Sequence, residues 1–326
     1  MNPIIDVKKL EVSFKTEDGL LHAVRGVDFY VQPGEALGIV GESGSGKSAT
    51  AKALVKLLPR DHSEVKGEIW YAGENLILKS ERELQRIRGR EIGMIFQDPM
   101  TSLNPTMRIA DQIAEGYLRH HPGCSKKEGF LYAVQMLELA CLPQAEERAN
   151  DYPHTLSGGG RQRVMIALAL ASNPKLLIAD EPTTALDVTI QAQILDILKE
   201  IQKKRQMSIV LITHDLSIVA SFCDRILVMY AGKIVESASV DEFFSNPKHP
   251  YTKRLLQAIP RIDADRETPL LSIEGCPPDF LTPPPGCSFC PRCSEAMKIC
   301  EKKEPPSLLV GKDHTSSCWL HHKEKP

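Results

Sequence analysis

One stretch constrains this chain more than any other: Gly41-Glu42-Ser43-Gly44-Ser45-Gly46-Lys47-Ser48. It fits the pattern G-x-x-x-x-G-K-[ST]. A compact apolar run at 35–40 precedes it, and residues 47–58, with helical periodicity, follow it up to Pro59. A buried strand, a glycine turn and a helix in that order bring backbone N–H groups and the positive helix end onto phosphate oxygens. Lys47 adds a point charge for the β- and γ-phosphates of a nucleotide, and the Ser48 hydroxyl a ligand for Mg²⁺.

The complementary half is Leu176-Leu177-Ile178-Ala179-Asp180-Glu181, an apolar strand that ends in two carboxylates. Asp180 is placed to hold the Mg²⁺ shell, and Glu181 to orient or deprotonate an attacking water.

Around these motifs the chain alternates strands and helices. Residues 4–14 and 23–31 read as strands, as do 175–179, 208–213 and 225–229. The stretch from Pro105 to Asp151 is mostly helical, with a hydrophilic break near His120-His121-Pro122-Gly123. The alternation predicts an α/β fold, a mostly parallel sheet covered by helices, with residues of about 100–157 as an inserted helical subdomain. With 42% hydrophobic residues the chain can bury a full core. Its 40 basic and 42 acidic residues, formal charge −2, include no basic patch, so nucleic acid is not expected as a partner. The first residues lack the pattern of a signal peptide, and no apolar run approaches the roughly 18 residues that cross a bilayer. Any work at a membrane requires a partner embedded in it.

At Leu156-Ser157-Gly158-Gly159-Gly160-Arg161-Gln162 the sequence resembles the signature of the ABC ATPase family, usually Leu-Ser-Gly-Gly-Gln. The resemblance implies a RecA-like parallel core of the P-loop NTPase type, an antiparallel β subdomain and the inserted helical subdomain. It also implies that Ser157, Gly158 and Gly159 contact ATP bound to a second subunit. Gly160 stands where the family carries glutamine; the serine and glycines that face the γ-phosphate are kept, so binding is expected to survive. Other motifs follow in order. Gln97 in Phe96-Gln97-Asp98-Pro99 resembles the glutamine loop that joins the Mg²⁺ shell to the helical subdomain. Ala185-Leu186-Asp187 resembles the loop crossing the dimer interface. His214 matches the histidine that holds the γ-phosphate and Glu181, and Phe14 sits where an aromatic stacks on adenine.

Met100-Thr101-Ser102-Leu103-Asn104-Pro105 and Asn246-Pro247-Lys248-His249-Pro250-Tyr251-Thr252 look like the oligopeptide/dipeptide/nickel importer branch, in which His-Pro-Tyr opens a C-terminal extension. The domains expected are an ATPase of residues 1–260 and an extension of 261–326. The extension is proline-rich, too poor in patterned apolar residues to hold itself together, and in need of a staple. Six of the nine cysteines lie there: Cys276, Cys287, Cys290, Cys293, Cys300 and Cys318. In a reducing compartment such clustering points to metal ligation. Resemblance to members of the branch implies a [4Fe–4S] cluster on Cys287, Cys293, Cys300 and Cys318. Zn²⁺, with Cys290 among its ligands, and no metal at all are the alternatives. His314, His321 and His322 read as solvated tail residues.

The function implied is an ATP-hydrolysing subunit that energises import of short peptides, with nickel or glutathione as alternative cargo. A soluble ABC ATPase acting on DNA or ribosomes is the rival class, and the single cassette without long heptad arms argues against it. The implied partners are two membrane permease subunits docking near Gln97 and residues 98–120, a second related ATPase subunit, and an extracytoplasmic substrate-binding protein. The implied location is the cytoplasmic face of a bacterial cell membrane.

Overall fold

The computed structural model describes residues 2–184, 186–259 and 273–322. The expected domain boundary at 260/261 lies outside them, as does Ala185. Two compact units form. One consists chiefly of Leu78–Ile212 with Val31–Ala36; the other of Ile5–Tyr30, Leu37–Ile77 and the chain from Thr213 onward.

In the first unit the strands Ile92–Ile95, Leu176–Asp180 and Ser208–Ile212 run parallel, with Leu176–Asp180 in the middle. All five residues of the middle strand are buried, as are all five of Ser208–Ile212. Such uninterrupted buried runs belong to strands covered on both faces. Each large apolar side chain buried this way contributes about 1.5–3 kcal/mol. The helical part comprises Ile109–His120, Lys126–Leu139 and Ala145–Arg148. The predicted break falls between the first two, where Ser125 and Glu128 form a capping box that starts the second helix.

The second unit holds a four-stranded sheet in the order Gly19–Val31, Ile5–Thr16, Ser63–Tyr71, Glu74–Asn75, whose last two pairings are antiparallel. A further run of strands is ordered Leu308–Gly311, His314–Ser316, Lys233–Ser239, Arg225–Tyr230, Ala36–Val40; its last pairing alone is parallel. Among the described residues no helix is long and apolar enough to cross a membrane.

Three expectations need correction. The helix predicted over 47–58 ends at Leu54, well before Pro59. Lys56 turns left-handed (φ 53°), Leu57 N–H donates to Lys52 O and Lys56 N–H to Ala53 O, so a Schellman closure stops the helix. The tail is less irregular than its prolines suggest. It contributes the hairpin of Leu308–Gly311 and His314–Ser316, whose second strand pairs Glu236 with Ser316 and Ser237 with Thr315. His314 is not solvated. It is fully buried, with Nε2 2.7 Å from Glu236 Oε1 and Nδ1 3.4 Å from Glu242 Oε2. Hydrogen bonds to charged partners make its burial tolerable.

Candidate functional site

The phosphate loop belongs to the second unit. Strand Ala36–Val40 is buried throughout and delivers the chain to Gly41. Two glycines there are obligatory. A Cβ on Gly41 (φ 154°) would lie 2.1 Å from the Met229 carbonyl oxygen. One on Gly46 (φ 101°) would lie 2.4 Å from that of Ala23. Between them Lys47 curls over the loop, its Nζ donating to the carbonyls of Gly41 and Glu42 at 2.8 Å each. Gly232 N–H donates to Ser45 O at 3.0 Å and holds the loop from outside. Ser43 and Gly44 form its turn, and Lys47 and Ser48 open helix Lys47–Leu54. The result is a buried cation at a helix N-terminus, whose positive end suits an anion.

Two further predicted residues lie in this unit. Thr213 N–H donates to Ile39 O at 3.3 Å, which sets exposed His214 beside the strand feeding the loop. Phe14 pairs across the sheet with Ser63 and is half-buried, leaving part of its ring available for stacking.

The first unit gathers a different set. Asp180 is buried at the end of strand Leu176–Asp180. Glu181 follows in a left-handed conformation (φ 49°), its N–H bonded to Ile212 O at 2.9 Å. A non-glycine residue there costs about 1–2 kcal/mol. What the turn achieves is the direction of the carboxylate: Glu181 Oε2 accepts from Gln97 Nε2 and from Thr184 Oγ1, both at 2.9 Å. The structure thus brings together Gln97 and Glu181, which are unrelated in sequence, and adds Thr184, which sequence reasoning missed.

The glycine-rich signature starts helix Gly158–Leu170. Ser157 is its N-cap, accepting from Gly160 N–H at 3.2 Å, and Ser157 and Gly158 are exposed. Gln162, on the same helix, donates to the Pro182 carbonyl just past Glu181. Asp187 caps the long helix Val188–Arg205 through Ile190 N–H, so that loop ends in a firm anchor.

The cysteine region is a tight knuckle. Cys287 N–H donates to Cys300 O at 2.7 Å, Cys290 N–H to Cys287 O at 3.0 Å, and Cys293 N–H to Cys290 O at 3.2 Å. Burial foremost pushes the Cys287 thiol up to about 12, with Cys300, Cys318 and Cys293 adding to it. Burial likewise pushes Cys318 up to about 11, and Cys293 and Cys300 again contribute. Cys290 is raised as well, by burial and then by Cys300 and Glu301. The four predicted thiols are therefore electrostatic neighbours. Even so, among the described residues no three or more His, Cys, Asp or Glu side chains are arranged to hold a metal ion. The iron–sulfur expectation has the right donors without a formed ligand set.

Sequence reasoning also missed a grip on the loop. Tyr251 OH accepts from Glu42 N–H at 2.9 Å, and Arg292 forks onto the Glu42 carboxylate. The His-Pro-Tyr run pointed at Tyr251 as a landmark but not at its partner.

Comparison with known proteins agrees with this picture. The family model described as "ABC transporter" matches residues 24–184, and that described as "Oligopeptide/dipeptide transporter, C-terminal region" matches 235–300. The oligopeptide transport ATP-binding protein OppD of Bacillus subtilis (strain 168) is 53% identical over 324 residues, covering 99% of this chain and 90% of that protein. The dipeptide transport ATP-binding protein DppD of Lactococcus lactis subsp. cremoris (strain MG1363) is 50% identical, covering 99% and 92%. Among solved structures, a dimeric ATP-binding cassette in a post-hydrolysis state bound to ADP and Pi superimposes with a TM-score of 0.66. It is 29% identical and covers 72% of this chain and 98% of that one.

Proposed function

Because this chain belongs to the ABC transporter family of ATP-binding proteins, in its oligopeptide/dipeptide branch, we propose that it is the ATP-hydrolysing subunit energising import of short peptides. The observation that carries this is the loop at 41–48, with Gly41 and Gly46 forced by close carbonyls and Lys47 folded across it.

Lys47 and the loop N–H groups hold the β- and γ-phosphates. Ser48, Gln97 and Asp180 are hard oxygen donors that would hold Mg²⁺, and the ion would supply positive charge against that developing on the phosphates. Glu181 orients or deprotonates the attacking water, and Gln97, bonded to its Oε2, holds that carboxylate in line. His214 steadies the γ-phosphate, and Phe14 stacks on adenine. Ser157, Gly158 and Gly159 serve the ATP of a partner subunit, since an exposed N-cap and helix start are free to meet another chain. A second, related ATPase subunit is that partner.

The chain works at the cytoplasmic face of a bacterial cell membrane, on two permease subunits supplied by an extracytoplasmic binding protein. The permease subunits dock near Gln97 and residues 98–120, a reading supported by the exposure of Phe96 and Met100 there. The domain division is residues 1–260 and 261–326. In the second, Cys287, Cys293, Cys300 and Cys318 would hold a [4Fe–4S] cluster, with Zn²⁺ as the alternative; the reading is supported by the soft thiolate donors gathered there. The cluster would supply a fold constraint.

The test is ATPase activity of the chain assembled with the permease and binding protein encoded beside it. Peptide should stimulate turnover, and Glu181→Gln should abolish turnover while ATP stays bound. Stimulation by nickel or glutathione instead of peptide would change the cargo. Normal turnover in Glu181→Gln would refute the assigned role.

A further inference from the structure

Glu42 is the second residue of the phosphate loop, and it carries a carboxylate into a loop that, on the function proposed above, receives a triphosphate. Left unpaired, that charge would repel the ligand. Its partner comes from the far end of the chain. Arg292 Nη1 donates to Glu42 Oε2 at 2.8 Å and Nη2 to Oε1 at 3.0 Å, a two-point fork that fixes orientation as well as charge.

Arg292 is itself immobilised. Its side chain is 5% exposed. Nε donates to Glu274 O, Nη2 to Ile273 O, both at 3.0 Å, and Nη1 to Tyr230 OH at 3.2 Å. Its backbone N–H is bonded to the carbonyl of Phe289, a buried ring packed against both Tyr230 and Tyr251. Tyr251 OH accepts from the Glu42 N–H at 2.9 Å. Glu42 is thus held at backbone and side chain by one aromatic-backed cluster of C-terminal residues.

We propose that Arg292 is a positioning residue for nucleotide binding: it neutralises and fixes Glu42, so the cysteine-bearing extension sets the affinity of the phosphate loop. This rests on the phosphate-site reading, and charge separates it from a plain structural tie. Nucleotide affinity of the full chain for Mg-ADP is measured by calorimetry for wild type, Arg292→Gln, the double variant Glu42→Gln/Arg292→Gln, and Lys47→Ala. Arg292→Gln is expected to weaken binding about tenfold, the order expected when a like charge is left beside partly screened phosphates. The double variant is expected to bind more tightly than Arg292→Gln, because the stranded carboxylate is gone. Arg292→Lys, which keeps the charge and loses the fork, is expected to fall between wild type and Arg292→Gln, and it carries the comparison if Arg292→Gln does not fold.

A double variant no tighter than Arg292→Gln, or unchanged affinity in Arg292→Gln with Lys47→Ala impaired, overturns the proposal. Where Arg292→Gln does not fold, wild-type affinity in Arg292→Lys overturns it. Unchanged affinity in Lys47→Ala overturns the phosphate-site reading itself.

Discussion

Acid should weaken the second unit in part through His249. Its ring is 1% exposed, and Nδ1 accepts from Tyr251 N–H at 3.1 Å, capping helix Pro250–Gln257. A ring that accepts at Nδ1 and lies buried resists a second proton. Burial, then the nearby His321, lowers its pKa to about 3, a backbone bond to Ser317 opposing and Lys253 adding slightly. The unfolded chain protonates this residue near pH 6.5 and the folded chain does not. The stabilisation is therefore complete above about pH 6.5 and is lost as pH falls from there toward 3. Between pH 8 and pH 5 the span below 6.5 is about 1.5 pH units, or about 2 kcal/mol at 1.36 kcal/mol per unit. The assay is urea unfolding followed by tryptophan fluorescence, which reports this unit because Trp70 and Trp319, the chain's two tryptophans, both lie in it. The chain's nine other histidines also fall in this range, so the quantity compared is the pH 8 to pH 5 difference in wild type and in His249→Asn, which keeps a capping acceptor. The variant should show a difference smaller by about 2 kcal/mol, a midpoint shift of about 1 M urea. Equal pH dependence in the two proteins would refute the buried, neutral assignment.

Gly41→Ala should abolish nucleotide binding, measurable by calorimetry, because its Cβ would strike the Met229 carbonyl at 2.1 Å. The purified chain alone should hydrolyse ATP slowly and with a rate per molecule that rises with concentration, since on the proposed function Ser157 and the glycines after it complete a partner's site; a concentration-independent fast rate from a verified monomer would contradict this. Anaerobically purified protein should be brown with iron and sulfide near equal. Cys293→Ser should bleach it while Cys290→Ser changes little; colourless protein containing zinc would replace the cluster with the alternative.

What the sequence determined by itself is local and contiguous. The eight residues of the phosphate loop, the apolar strand ending at Asp180-Glu181 and the Ser157 helix start are each specified within a few neighbouring positions. The chemistry proposed for them rests on glycine freedom, helix polarity and β-run burial. The break between helices Ile109–His120 and Lys126–Leu139 was legible in the hydrophilic run His120-His121-Pro122-Gly123, while the capping box of Ser125 and Glu128 that starts the second helix emerged from the structure. The end of helix Lys47–Leu54 was misplaced because the signal chosen, Pro59, is a breaker, whereas the actual stop is a left-handed lysine with no compositional mark. Only the tertiary structure decided that Gln97 meets Glu181, separated by 84 positions, and that Arg292 meets Glu42, separated by 250. It also decided that His314 is enclosed with Glu236 rather than solvated. Charged and polar side chains carry no periodicity that names their partner. Whether such a group lies in water or in a buried pair depends on which distant segments the fold brings beside it.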